Sequence, residues 1–83
     1  VDFWAPWCPP CRRQGPIVDD VAEKTKAFAK VLKLNVDDES AVASKYGIQS
    51  IPTLIIFKDG KIQKQFQGLT KASTLIAAMK AAG

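Results

Sequence analysis

The chain has 83 residues and a formal net charge of +4, and its length allows one domain of modest stability. No apolar run reaches the ~20 residues of a membrane helix, and the basic residues are not clustered with aromatic ones as nucleic-acid binding requires. Histidine is absent, and two cysteines are too few for a four-ligand zinc site in one chain. We therefore predict a single domain over residues 1–83 and expect no membrane, nucleic-acid, metal or cofactor binding.

The first half of the chain predicts a strand, a helix and a second strand. Val1 to Trp4 is rich in β-forming residues, and a turn over Ala5 to Cys8 leads into two prolines that suit the first turn of a helix. That helix should run to about Lys26 and be kinked at Pro16, which removes one backbone hydrogen bond. Val31 to Val36 predicts the second strand, and a right-handed crossover through the helix makes the two strands parallel.

The second half predicts a short helix, a hairpin and a final helix. The short helix should begin within Asp37 to Ser40. Thr53 to Phe57 is a continuous apolar run, typical of a strand buried on both faces, and Asp59-Gly60 is a hairpin turn that leads to a return strand over Lys61 to Gln67. Thr70 can cap the last helix. The order β-α-β-α-β-β-α predicts an α/β fold, a mixed four-stranded sheet flanked by helices.

The only two cysteines of the chain lie three positions apart, at the start of the first predicted helix. Side chains with this spacing face each other on a helix, so the sulfurs of Cys8 and Cys11 can form a disulfide. A bridge that closes so small a ring removes little entropy from the unfolded chain and stabilises the fold little. The pair therefore indicates redox chemistry more than structural cross-linking.

The two sulfurs are not equivalent. Cys8, at the helix N-terminus, meets the positive end of the helix dipole, and the backbone N–H of Cys11 can reach its sulfur. Both effects favour the thiolate, which is the attacking species. Cys11, inside the turn, should be less exposed and less acidic. We therefore expect Cys8 to attack a substrate disulfide and Cys11 to resolve the mixed disulfide.

These residues belong to a longer pattern that resembles the thioredoxin family. "VDFWAPWCPPC" at Val1 to Cys11 is similar to the family's active-site segment. "KLNVD" at Lys33 to Asp37, "YGIQSIPTLIIFKDG" at Tyr46 to Gly60 and the region of Gly68 follow in the family's order and spacing. The resemblance covers essentially all of the chain, and W-C-x-x-C followed by I-P-T is a specific signal.

The resemblance implies a thiol–disulfide oxidoreductase that reduces protein disulfides without a bound cofactor and draws electrons from a reductase of the thioredoxin-reductase type. Cys8 resembles the nucleophile, Cys11 the resolving cysteine and Pro52 the cis-proline beside the disulfide. The backbone of Ile51 would pair with the substrate chain as an added strand. The residues that resemble the substrate groove are Trp7, Ile51, Pro52 and Gly68.

Asp2 resembles the buried acid behind the disulfide, with Lys33 near it. Asp2 also lies between apolar residues in a predicted strand, where burial would raise the pKa of its carboxyl group. A base near neutrality could then take the proton of Cys11. The alternative for Asp2 is an exposed aspartate at a frayed terminus. The alternative for Lys33 is a surface lysine on a strand.

The dipeptide between the cysteines departs from the family, which usually has Gly-Pro where this chain has Pro9-Pro10. Pro9 lacks an N–H that could face the Cys8 thiolate, which should raise the thiol pKa and favour a more reducing couple. Pro9 also stiffens the loop, and this could shift the reduction potential in either direction. We expect both prolines to tune the site and Pro9 to shift the reduction potential.

Members of the family have a strand, a helix and the first part of the central strand before "VDFWA", and this sequence contains none of them. We therefore expect Val31 to Val36 to be an edge strand with unpaired backbone groups and apolar surface to be exposed. Such a chain would form a homodimer through this edge strand or by exchanging secondary-structure elements with a second copy. Otherwise it would be unusually unstable.

Two other functions stay open on the sequence alone. One is an oxidase or isomerase of an oxidising compartment, which the Pro-Pro dipeptide allows. The other is a binding or assembly module with little turnover. Because no cysteine is left for a further disulfide, a reducing intracellular setting fits best, and we predict the cytoplasm.

Overall fold

A computed structural model of the chain describes residues 1–82, and Gly83, the last residue of the predicted domain, lies outside the described residues. The strands are β1 (Asp2–Trp4), β2 (Lys33–Asn35), β3 (Thr53–Lys58) and β4 (Lys61–Gln67). The helices are α1 (Pro9–Thr25), α2 (Ser40–Lys45) and α3 (Ala72–Ala82). The element order is the predicted one, and the predicted mixed four-stranded sheet flanked by helices is confirmed.

The sheet has the strand order β2-β1-β3-β4. β1 pairs parallel with β2 and antiparallel with β3, and β3 pairs antiparallel with β4. The second strand is shorter than the predicted 31–36, although backbone hydrogen bonds from Asp2 to Leu32 and from Val36 to Trp4 extend its pairing at both ends. β2 is an outer strand of the sheet that residues 1–82 form, as predicted.

Helix α1 presents one buried stripe to the sheet, formed by Cys11, Gln14, Val18, Val21 and Thr25. The alternating spacing of three and four residues keeps these side chains on one face of a helix. Towards the C-terminal end of α1, Val18 and Val21 pack with Leu54 of β3 and Leu75 of α3. At the N-terminal end of α1, Cys11 packs beside Ala5 and Cys8. The same helix therefore anchors the core and carries the cysteine pair.

The structure confirms the predicted hairpin turn and contradicts the predicted cap of the last helix. The hairpin turn forms at Asp59-Gly60, where both residues have positive φ, 54° and 78°, as a tight two-residue turn requires. The prediction that Thr70 caps the last helix is wrong, because α3 begins at Ala72 and the Thr70 hydroxyl donates to the carbonyl of Gly68. α1 continues through Pro16, and the kink expected there stays a prediction. No helix within residues 1–82 is long and apolar enough to cross a membrane.

Candidate active site

The cysteine pair lies where β1 passes into α1. Cys8 has an extended backbone and is the N-cap of α1, and Pro9 and Pro10 occupy the first turn. Proline is tolerated there because the first N–H groups of a helix have no partner within the helix. The local sequence thus fixes both the start of the helix and the position of the Cys8 sulfur at its N-terminus.

Cys8 and Cys11 form a disulfide, with their Cα atoms 5.2 Å apart. The backbone N–H of Cys11 donates to Sγ of Cys8 at 3.2 Å, the contact predicted from the sequence. The same sulfur lies 3.6 Å from the carbonyl oxygen of Ile51. In the reduced protein the N–H and the helix dipole favour a thiolate on Cys8, whereas the carbonyl favours the thiol. Both cysteines are buried, with exposed fractions of 4% and 2%, so the expected difference in their exposure is small.

Two loops border the disulfide. Ile51 packs against Ala5, Cys8 and Cys11, and the Ile51–Pro52 peptide bond is cis. The N–H of Gly68, just after β4, donates to the carbonyl of Pro52 at 2.8 Å. Gly68 has φ of 88°, a conformation that favours glycine. The structure therefore brings Ile51, Pro52 and Gly68 together beside the cysteine pair.

Trp7 directly precedes Cys8 in the loop that leads into α1. Its indole is 66% exposed, and its Nε1–H donates to the carboxylate of Asp37 at 2.9 Å. The N–H of Asp37 in turn donates to the side-chain oxygen of Asn35 at the end of β2. Asp37, which sequence reasoning did not single out, thus holds a large exposed aromatic ring next to the disulfide.

Asp2 is buried in β1, so the alternative of an exposed, frayed aspartate is wrong. Its Oδ1 atom has no hydrogen-bond partner among residues 1–82. Burial raises the pKa of Asp2 from 3.8 to about 6, and the nearby ammonium of Lys33 partly opposes this rise. A buried carboxyl group that titrates near neutrality is suited to proton transfer.

Lys33 is the register partner of Asp2 across the parallel pair β1–β2. Its ammonium, however, pairs with the carboxylate of Asp19 on α1 at 2.7 Å. Lys33 therefore acts on Asp2 through its charge, and no hydrogen bond joins the two side chains in the described chain. The sequence pattern did not indicate Asp19, because nothing in its own neighbourhood distinguishes it from the other acidic residues on the exposed face of α1.

A disulfide at a helix N-terminus, beside a cis-proline loop, in a fold whose first strand carries a buried carboxyl group, is typical of a thiol–disulfide oxidoreductase. The family model for thioredoxin matches residues 1–81. A thioredoxin of Pyropia yezoensis is 49% identical over 79 residues, which are 95% of this chain and 74% of that protein. Thioredoxin 1 of Synechococcus elongatus is 52% identical over 75 residues, 90% of this chain and 70% of that protein.

The solved structure of a mutant thioredoxin from Halobacterium salinarum superposes with a TM-score of 0.90 at 38% identity, covering 98% of this chain and 70% of that one. The chain belongs to the thioredoxin family. Its activity is that of a protein-disulfide reductase acting through the Cys8–Cys11 pair, and its substrates are protein disulfides.

Proposed function

We propose that Cys8 is the nucleophile and Cys11 the resolving cysteine of this reductase. The observation that carries the proposal is the hydrogen bond of 3.2 Å from the Cys11 N–H to the Cys8 sulfur at the N-terminus of α1. A donor and a positive helix end both stabilise a negative charge on that sulfur. The Cys11 sulfur has neither advantage, because Cys11 lies inside the first turn of the helix.

The proposed reaction has two exchange steps. The Cys8 thiolate attacks one sulfur of a substrate disulfide, forms a mixed disulfide and releases the other substrate sulfur as a thiolate that takes a proton. Cys11 then loses its proton and attacks the Cys8 sulfur. This step forms the Cys8–Cys11 disulfide and releases the second substrate thiol. Two electrons have passed from the dithiol to the substrate.

Asp2 is the proposed base for the second step. A base is most effective when its pKa lies near the working pH, and the pKa of Asp2, about 6, meets this condition. Lys33 is proposed to lower that pKa through its charge, and its ion pair with Asp19 keeps the ammonium close. Both roles act on the resolving step and leave the first attack to Cys8.

The proposed substrate groove is formed by Trp7, Ile51, Pro52 and Gly68. Ile51 supports this role because its carbonyl oxygen lies 3.6 Å from the Cys8 sulfur. A substrate segment that lies along Ile51 can form backbone hydrogen bonds as an added strand and bring its disulfide to that sulfur. Trp7, which is exposed, offers it an apolar surface.

The order of attack can be tested by trapping. We expect Cys11→Ser to accumulate a mixed disulfide with a protein substrate through Cys8, because the first step proceeds and the second is blocked. Non-reducing electrophoresis and mass spectrometry of the adduct check this. Cys8→Ser is the matched control and should give no adduct. An adduct in the control and none in Cys11→Ser would reverse the two roles.

Pro9 and Pro10 are proposed to tune the couple by limiting the donors near Cys8. We expect both Pro9→Ala and Pro9→Gly to restore an N–H that stabilises the thiolate and to make the reduction potential less negative by roughly 30 mV, the equivalent of one hydrogen bond to a charged group. Equilibration with glutathione buffers measures it. Since alanine restores the N–H without the flexibility of glycine, a shift in Pro9→Gly alone would assign the effect to loop stiffness. Unchanged potentials in both variants would contradict the proposal.

We also propose an electron donor, a compartment and an oligomeric state for this chain. A reductase of the thioredoxin-reductase type would supply electrons, since the two-step reaction ends with an oxidised pair. A reducing compartment such as the cytoplasm fits a chain whose two cysteines both belong to the redox pair.

A second copy of the chain could pair along the outer strand β2, next to which Leu32 is exposed. The dependence of molecular mass on concentration tests this dimer.

A further inference from the structure

Gln14 is a polar residue on the buried face of α1. It lies one turn after Cys11 on the same stripe, and its exposed fraction is 0%. Both the nitrogen and the oxygen of its side-chain amide bond to the backbone of one residue far along the chain, Thr70. The Nε2–H of Gln14 donates to the carbonyl of Thr70 at 3.0 Å, and the N–H of Thr70 donates to Oε1 of Gln14 at 2.7 Å.

Thr70 belongs to the segment Gly68–Thr70, here called the rim segment, between the end of β4 and the start of α3. Because the segment lies in neither element, the buried backbone groups of Thr70 have no strand or helix partner there, and the Gln14 amide satisfies both. The Thr70 hydroxyl donates to the carbonyl of Gly68 at 3.0 Å. The N–H of Gly68 donates to the carbonyl of Pro52.

These contacts form a continuous chain of hydrogen bonds from Gln14 through Thr70 and Gly68 to Pro52. Its first member is on the helix that carries Cys11, and its last is in the loop beside Cys8. A buried amide is costly unless all of its donors and acceptors are paired, and an apolar residue would fill the same position without that requirement. The amide at this position therefore specifies where the rim segment lies relative to the disulfide.

We propose that Gln14 is a positioning residue that fixes the rim segment against α1 and thereby determines the affinity for protein disulfides. The inference rests on the proposed function in one respect, the assignment of Gly68 to the substrate groove. Gln14 does not contact the reacting sulfurs, so it should leave the exchange chemistry itself unchanged. A substrate too small to reach the rim segment should not detect its loss.

The test is Gln14→Met, which keeps the length of the side chain and removes both hydrogen bonds. We expect KM for the reduction of insulin, with dithiothreitol as electron donor, to rise roughly three- to tenfold, the effect of losing one or two such bonds, with kcat unchanged. The rate with the small disulfide dithiobis(nitrobenzoate) should stay within about twofold of wild type. Hydrogen exchange at the amides of Gly68 and Thr70 should be faster.

Thr25→Val is the matched control. Thr25 is also fully buried on α1, and its hydroxyl donates to the carbonyl of Val21, at the end of the helix away from the cysteines. We expect this variant to lose stability and to keep the wild-type KM for insulin. Thr70→Ala, which cuts only the hydroxyl contact to Gly68, should raise KM less than Gln14→Met and serves if that variant does not fold.

An unchanged KM in folded Gln14→Met, or an equal rise in Thr25→Val, would overturn the proposal. A parallel fall in the rate with the small disulfide would also overturn it, because the chemistry and not the groove would then depend on Gln14. The exchange measurement does not require catalysis. If wild type reduced neither substrate, the proposed function would fail, while faster exchange confined to the rim segment would still support the positioning role and unchanged exchange would refute it.

Discussion

Replacement of the Cys8 sulfur, Cys8→Ser, is expected to lower the reduction of insulin to the rate of dithiothreitol alone. A serine hydroxyl at the start of α1 is not ionised near neutral pH and cannot form a mixed disulfide, so the first exchange step has no nucleophile. We do not expect Cys11 to replace it, because the N–H of Cys11 is directed at the Cys8 position and does not stabilise a thiolate on Cys11 itself. Turbidity of the precipitating insulin chains measures the rate, with wild type beside the variant.

Pro10→Ala is a suitable control for damage to the helix start, since it changes the same turn and keeps both sulfurs. Activity that persists in Cys8→Ser and disappears in Cys11→Ser would transfer the nucleophile to Cys11. A folded wild type without activity would instead favour the alternative of a binding or assembly module. An active wild type with a strongly oxidising potential would favour the oxidase or isomerase.

The parts of the site that the sequence predicts well are those encoded over a few residues. The helix start at Pro9, the contact between Cys11 N–H and the Cys8 sulfur, and the hairpin at Asp59-Gly60 follow from caps, prolines and turn residues alone. The parallel pairing of β1 with β2 and the antiparallel pairing of β3 with β4 follow from the crossover helix and the hairpin, whereas the pairing of β1 with β3 does not. Short-range geometry and steric rules are sufficient for all of these except that last pairing.

The parts that the sequence does not predict depend on partners far along the chain. Gln14 and Thr70 are 56 positions apart, and Trp7 and Asp37 are 30 positions apart. Gln14 and Asp37 are not distinguishable from surface polar residues until the fold brings each of them to its partner. The prediction for Thr70 is wrong for another reason, since α3 begins two residues later and the hydroxyl bonds locally to the carbonyl of Gly68, while the Thr70 backbone makes the long-range contact.

Removal of the buried charge, Asp2→Asn, is expected to stabilise the folded chain above about pH 6 and to slow the resolving step. Burial raises the pKa of Asp2 from 3.8 to about 6, so between these values the folded chain holds a proton that the unfolded chain releases. The free energy of unfolding of wild type therefore falls as pH rises through this window. Above it, the buried carboxylate costs on the order of 2–3 kcal/mol, at about 1.4 kcal/mol for each tenfold change in proton affinity. Asparagine has nearly the same shape and no charge, so this penalty disappears.

Denaturant unfolding of wild type and Asp2→Asn at a series of pH values between about 4 and 8 measures the difference, which should grow from near zero to its full value across the window. Asp38→Asn, on an exposed loop, is the matched control and should leave the pH dependence unchanged. Stopped-flow kinetics should show slower release of the mixed disulfide, by roughly tenfold or more at neutral pH, because Cys11 has lost its base. A variant as stable as wild type at every pH would mean that the carboxylate is well solvated. The expected change in stability with an unchanged rate of resolution would leave Asp2 a role in the fold and none in the transfer of the Cys11 proton.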